Sequence, residues 1–151
     1  MQPLPTDSMV LASKTKRWFA SVIDYAIYSL FLYLILQWVG TPVTDVATGD
    51  TTYHLTGLPA LGLLSSWFLF IPLLEGLTTQ TVGKAIFNIK VIGIKGNKIS
   101  LGQAVVRHLF DIVDYFPFFG LVGIIVAGNT ENKQRVGDIV VKTIVVVHKV
   151  N

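Results

Sequence analysis

Residues 18–39 form an apolar run of 22 residues that contains one charged side chain, Asp24. As an α-helix at about 1.5 Å per residue it is roughly 33 Å long, enough to cross a hydrocarbon core of about 30 Å. Trp18 and Trp38 stand at its two ends, where amphipathic rings favour the headgroup zone. The run is too long for the core of a signal peptide and no small-residue cleavage site follows it, so it reads as a retained membrane anchor. A second run, residues 58–74, has 17 residues without a charge, ends at Glu75 and carries Pro72 near its last turn. It lies at the short end of the spanning range.

Composition points the same way: 14% of residues are charged and 52% hydrophobic, against about 25% charged in an average soluble domain. The length fits one domain over residues 1–151. The absence of cysteine excludes disulfides, thiolate metal ligands and cysteine nucleophiles. His54, His108 and His148 lie far apart and lack metal-ligand spacing. No Ser/His/Asp order and no HExxH motif is present. Gly83-Lys84 fails as a phosphate loop, because Gly76 is too distant and Ala85 stands where Ser or Thr must hold magnesium. The expectation is therefore no enzyme, no catalytic residue, no cofactor, no bound metal and no nucleic-acid partner. Lys84 and Lys90 are expected to meet lipid phosphates or helix carbonyls beside the membrane.

The third apolar stretch is ambiguous. Residues 115–127 are uncharged but too few to span, and Pro117 and Gly120 interrupt them. Extending back to Leu101 adds length and takes in Arg107, His108, Asp111 and Asp114. Such a segment is a span with an inward polar face, or an interfacial helix leading into a re-entrant hairpin. Lys14, Lys16 and Arg17 precede the first span, the loop after it has no Lys or Arg, and Lys84, Lys90, Lys95, Lys98 and Arg107 follow the second. The positive-inside rule then puts the N-terminus in the cytoplasm and the first loop outside. Lys133, Arg135, Lys142 and Lys149 favour a third element that returns to the cytoplasm rather than a simple third span.

Between the spans the pattern changes. Ile89 and Val91 alternate with Lys90 and Ile92 at period two, which predicts a strand over residues 86–94. Gly96-Asn97 suits a tight hairpin turn, and Ser100 with Gln103 reads as a capping box opening a helix. The β-branched tail, residues 139–147, is a poor membrane helix and a good strand; it is expected to pair with residues 86–94 in a small cytoplasmic sheet. The threonine-rich first loop reads as flexible. The expected fold is an all-α membrane protein, with two transmembrane helices, a third re-entrant or spanning helical element over residues 101–127, and a small cytoplasmic β-hairpin or sheet.

Six charged residues are candidates for function. Asp24 lies about two turns inside the first span, with Arg17 seven residues earlier on the same face and Ser21 and Tyr28 flanking it. A carboxylate at that depth costs several kcal/mol and is normally turned inward and paired. It serves as an ion-binding or proton-exchanging group, or as a structural clamp answered by an arginine. Gln103, Arg107, Asp111 and Asp114 share one helix face, with Arg107–Asp111 as a local ion pair. If that face is inside the bilayer, Asp111 and Asp114 raise each other's proton affinity and can trade a proton for a cation; on an exposed helix they are solvated. Asp138, after Arg135-Val136-Gly137, is a turn former, or it meets Arg17 and ties the tail to the first span.

These residues together resemble the RDD family of small prokaryotic integral membrane proteins, named for one arginine and two aspartates. Arg17 and Asp24 match the arginine before, and the aspartate within, the first transmembrane helix. Gln80-Thr81-Val82-Gly83-Lys84, running on through Ile89-Lys90-Val91, looks like the segment after the second span, with Val82 where Pro is common. Arg107 with Asp114, and Arg135-Val136-Gly137-Asp138, are also similar, and Asp111, Asp114 and Asp138 compete as the second aspartate. The similarity covers Lys16 to Val147. It implies a multi-pass protein of a prokaryotic cytoplasmic membrane, in a family mostly uncharacterised, with transport suggested and sodium–proton exchange associated with some members. One reading is therefore a cation (sodium)/proton exchanger, or other small transporter, working as a homo-oligomer in which Gly62, Ser65 and Ser66 offer a close-packing face. The other is a non-transporting membrane scaffold or accessory subunit whose Arg and Asp residues are structural.

Overall fold

The structure is a computed structural model that describes residues 9–111 and 121–148. Its first element is α1 (Lys14–Val39), one turn longer at the start than the apolar run because Ser13 caps it, accepting from the Lys16 N–H at 3.2 Å. Arg17, Ala20, Asp24 and Tyr28 are its buried residues, a 3-4-4 spacing that makes one stripe. Phe19, Val22, Leu30, Tyr33, Leu34 and Trp38 are exposed. Helix α2 (Gly57–Phe68), a π-turn at Leu69–Leu73 and α3 (Leu74–Thr78) form the second rod. The widened turn contains Pro72, whose ring lacks an N–H and crowds the carbonyl of the preceding turn. Leu58, Leu61, Leu64 and Leu69 point away from the protein. The rods meet through the Tyr28 hydroxyl, 3.2 Å from Ser66 Oγ, and through the Phe31–Phe70 ring pair at 5.4 Å. Lys14–Val39 and Gly57–Thr78 are both long and apolar enough to cross a membrane.

The first loop is structured, contrary to the flexible segment expected. Strands β1 (Thr41–Thr44) and β2 (Thr51–His54) pair antiparallel, with Thr41 opposite His54 and Thr44 opposite Thr51. Asp45 Oδ1 accepts from the Ala47 N–H at 2.8 Å, and Gly49 takes φ +76°; this local Asx turn, flanked by β-branched threonines, closes the hairpin.

After α3 come α4 (Val82–Ile86), β3 (Ile89–Gly93), α5 (Leu101–Leu109), α6 (Leu121–Gly128), α7 (Val136–Val140) and β4 (Thr143–Val147). Strands β3 and β4 pair antiparallel, Ile89 opposite Val147 and Gly93 opposite Thr143. Both are shorter than expected. Residues 86–88 belong to the end of α4 and a turn in which Asn88 adopts φ +50°. Ile139 and Val140 lie in α7, because Asp138 accepts from the Arg135 N–H and starts a helix there despite the β-branched composition. The N-terminal segment adds a third arm: Leu11 bridges Val146, the Ala12 N–H donates to Val145 O at 2.9 Å, and the Val147 N–H donates to Val10 O at 2.8 Å. Ile89, Val91 and Val145 pack on one side with Ala12, Ala20, Ile99 and Ala104, and Ile92, Ile144 and Val146 pack on the other. With both faces covered, the alternation seen around Lys90 does not extend to Ile92.

The Gly96 turn forms with φ +84°, but its returning arm leads into α5 rather than a strand, so it closes no β-hairpin. The capping box of α5 is present: Ser100 Oγ accepts from the Gln103 N–H and Gln103 Oε1 accepts from the Ser100 N–H. Within the third apolar stretch, Asp114 and the rest of residues 112–120 lie outside the described residues.

Candidate functional site

The site grows from the buried stripe of α1. Asp24 Oδ1 accepts from the Gly83 N–H at 2.7 Å, and its Oδ2 accepts from the Thr81 hydroxyl. Thr81 is the N-cap of α4, receiving the Lys84 N–H at 3.4 Å. Asp24 thus satisfies donors that a helix start leaves unpaired. No guanidinium answers Asp24 in these contacts; Arg17 goes to Asp138, the tie between the tail and the first span that was one of the two readings of Asp138. Gly83 permits this docking, because a Cβ there would fall 2.0 Å from Ala20 O.

Around this contact runs a chain of alternating charge. Lys84 Nζ pairs with Glu75 Oε2, Arg107 with Glu75 Oε1, Arg107 Nε with Asp138 Oδ1 at 2.8 Å, and Arg17 with Asp138 Oδ2. Glu75 and Thr143 are fully buried, and Asp138, Arg17, Lys84 and Arg107 are nearly so. The five charged side chains come from α1, α3, α4, α5 and α7, so the pairs join elements far apart in sequence. Asp138 also accepts from the Arg135 N–H at 3.1 Å and the Thr143 hydroxyl at 3.3 Å. Burial pushes the Asp138 carboxyl up, but Arg107, Arg17 and the Arg135 N–H outweigh it and hold it well below the usual carboxylate range. Burial, reinforced by the Arg107 charge and opposed by Asp24 and Asp111, lowers Lys84 to about 7.

Asp111 does not form the local pair with Arg107 expected from their spacing. Arg107 is drawn to Glu75 and Asp138, while Asp111 Oδ2 accepts from the Tyr25 hydroxyl at 2.8 Å and lies 2.7 Å from His108 Nδ1. The other imidazole nitrogen, His108 Nε2, is buried with no hydrogen bond and lies 3.3 Å from Glu75 Oε2. The Trp67 ring meets the imidazole edge-on at 6.4 Å. A small recess, with room for about one water-sized guest, opens among Arg17, Lys84, Arg107, His108, Asp111 and Asp138.

Of the six sequence candidates, Arg17, Arg107 and Asp138 meet in one ion-pair chain. Asp24 and Asp111 flank it, and Asp114 lies outside the described residues. The sequence reading missed Glu75, treated as the end of a span, and placed Lys84 against lipid phosphates or helix carbonyls; both are central, and His108 joins them. The available signal was an acid ending an otherwise uncharged helix, nine residues before a lysine. Among the described residues no group of His, Asp and Glu is arranged to hold a metal ion.

A model of the RDD family matches residues 11–142. No curated protein and no solved structure matches the chain. The match covers most of the sequence, and the chain belongs to the RDD family.

Proposed function

From membership of the RDD family and from its two membrane-length helices, we propose that this chain is a proton-coupled transporter of a small ion in a prokaryotic cytoplasmic membrane, acting as a homo-oligomer. The observation that carries this reading is the recess bounded by buried ionisable side chains, with one imidazole nitrogen left unpaired, at the end of two apolar helices. Transport requires a hydrated route between packed helices, and two rods cannot enclose one alone; a second copy supplies the missing wall. Arg17, Asp24, Arg107 and Asp138 act as the frame of the site, because each is already held by donors or acceptors of the protein.

Sodium remains the first partner ion to test, although Asp24, Glu75, Asp111 and Asp138 all face donors, so the ion must displace them or use oxygens from another copy. Purified protein in proteoliposomes should dissipate an imposed pH gradient when sodium is added outside; a chloride arm with an impermeant cation separates coupling to an anion. No flux in either arm refutes transport.

The three-armed sheet supports both termini lying on one side. Segments at residues 10–12, 89–93 and 143–147 hydrogen-bond to one another, which requires an even number of crossings between each. Two crossings by α1 and the Gly57–Thr78 rod, and a third element that returns to its own side, meet that condition. Positive-inside placement makes that side cytoplasmic. A reporter fused after Asn151 should be cytoplasmic; a periplasmic signal removes this topology.

The scaffold reading retains one specific support: among the described candidates, Arg17, Asp24, Arg107, Asp111 and Asp138 all have partners within the protein. It predicts no flux and a stoichiometric protein partner on purification.

A further inference from the structure

His108 Nδ1 lies 2.7 Å from Asp111 Oδ2, an oxygen that also receives the Tyr25 O–H. A carboxylate oxygen already serving as acceptor calls for an N–H at Nδ1, which fixes the neutral imidazole with a lone pair at Nε2. That lone pair faces Glu75 Oε2 at 3.3 Å. Two acceptors at this separation repel, whereas one proton between them makes a charge-assisted hydrogen bond. Lys84 Nζ holds the same oxygen, Glu75 Oε2.

We infer that Glu75 and His108 form a proton-binding site in which protonated His108 and protonated Lys84 compete for Glu75 Oε2. In the transfer the Lys84 Nζ–H bond breaks and nitrogen keeps the electron pair; the proton passes by way of Glu75 Oε2, and the Nε2 lone pair forms the new N–H bond. Charge is conserved, since an ammonium and neutral imidazole become an amine and imidazolium. Burial lowers Lys84 to about 7, and burial also lowers the His108 imidazole from its ordinary value against the opposing pull of the Asp111 carboxylate, so the two bases are brought down together. A proton arriving from the recess at His108 adds one charge, weakens the hold of Lys84 on Glu75 and so couples protonation to the docking of α4. The groups facing the imidazole are Glu75 and Trp67 from the second rod, Lys84 from α4, and Arg107 and Asp111 from its own helix. Tyr25 acts from α1 through Asp111, and Arg17, Arg135 and Asp138 line the far side of the recess.

The site deepens the transport reading but is tested apart from it. The full chain, labelled with nitrogen-15 at histidine, is titrated by NMR in lipid nanodiscs, with the exposed His54 as reference. In Glu75→Gln the His108 midpoint should fall by at least about one pH unit, a tenfold loss of proton affinity. In Lys84→Met it should rise by a similar amount, because a like charge and a competitor for Glu75 are both removed. An unmoved midpoint in Lys84→Met, or an upward shift in Glu75→Gln, overturns the site. If Glu75→Gln does not fold, the Lys84→Met shift decides alone. Proton flux into proteoliposomes is then compared for wild type and His108→Gln. NMR shifts as expected with no flux in wild type keep the proton site and reject transport; flux with unmoved midpoints rejects the site and keeps transport.

Discussion

Replacing Asp138 with Asn tests the ion-pair chain at its most heavily used acceptor. Asp138 takes donors from Arg17, Arg107, the Arg135 N–H and Thr143, and it is almost wholly buried. Asparagine keeps the volume but removes the charge and turns one acceptor into a donor aimed at a guanidinium. Arg17 and Arg107 cannot relieve the loss by giving up a proton. Stranding a buried charge in this way costs about 3–5 kcal/mol. At roughly 2–4 °C per kcal/mol for a chain of this size, Tm should fall by about 6–20 °C. The assay is thermal unfolding of purified protein in detergent, repeated with Arg17→Met and with the double variant. Since the two side chains touch, the double variant should be less damaged than the sum of the singles, by about 0.5–3 kcal/mol. A fall below about 2 °C in Asp138→Asn, or strict additivity, would refute the view that this cluster holds the helices to the sheet.

The same geometry yields three further expectations. Gly83→Ala should separate α4 from α1, because the new methyl meets backbone at Ala20; a loss of about 1–3 kcal/mol in the same unfolding assay is expected, and a neutral result rejects the close approach. Asp24→Leu should cost more than Asp24→Asn, since leucine leaves both the Thr81 hydroxyl and the Gly83 N–H without an acceptor, about 1–3 kcal/mol for each group; the reverse order counts against a capping role. For Asp138 the folded carboxyl binds protons more weakly than the unfolded one, so its stabilising contribution is full above an unfolded value of about 3.9 and drains away as pH falls toward the lower folded value. Tm should therefore decline below about pH 4 in wild type and decline less in Asp138→Asn, and parallel curves would disprove the linkage.

Much of the architecture was legible from local pattern. The length of the run around Asp24 identified α1, and the face shared by Arg17, Asp24 and Tyr28 is its buried stripe, completed by Ala20 where the spacing pointed to Ser21. Ser100 and Gln103 announced the start of α5. The pairing of charges was harder to read, because it depends on contacts between distant segments. Arg107 and Asp111 have helix-pair spacing, yet that pair is not formed, whereas the Arg17–Asp138 tie, offered as one reading of Asp138, is. Local rules give which side chains can meet along one helix; α3 and α7 deliver Glu75 and Asp138 to Arg107 from elsewhere. Lys84 misled for a related reason, since a lysine next to an apolar segment normally meets lipid, and only the approach of α4 to α1 allowed by Gly83 brings it inward. In the tail, β-branched composition identified β4 but not the helical turn before it, where the Asp138 carboxylate outweighs the preference of Ile139 and Val140 for extended backbone.

The pairing of Arg17 with Asp138 spans 121 positions, and the strand at Leu11 closes on Val146. A ribosome releases Arg17 long before the acid that answers it. Until Asp138 and β4 emerge, Arg17 is a guanidinium without its acid, and the first arm of the sheet has no strand to join. The nascent protein can insert both rods early, but the ion-pair chain and the sheet close only after Asp138 and β4 have emerged. A chain cut short before Asp138 therefore keeps an unanswered cation and an open sheet edge.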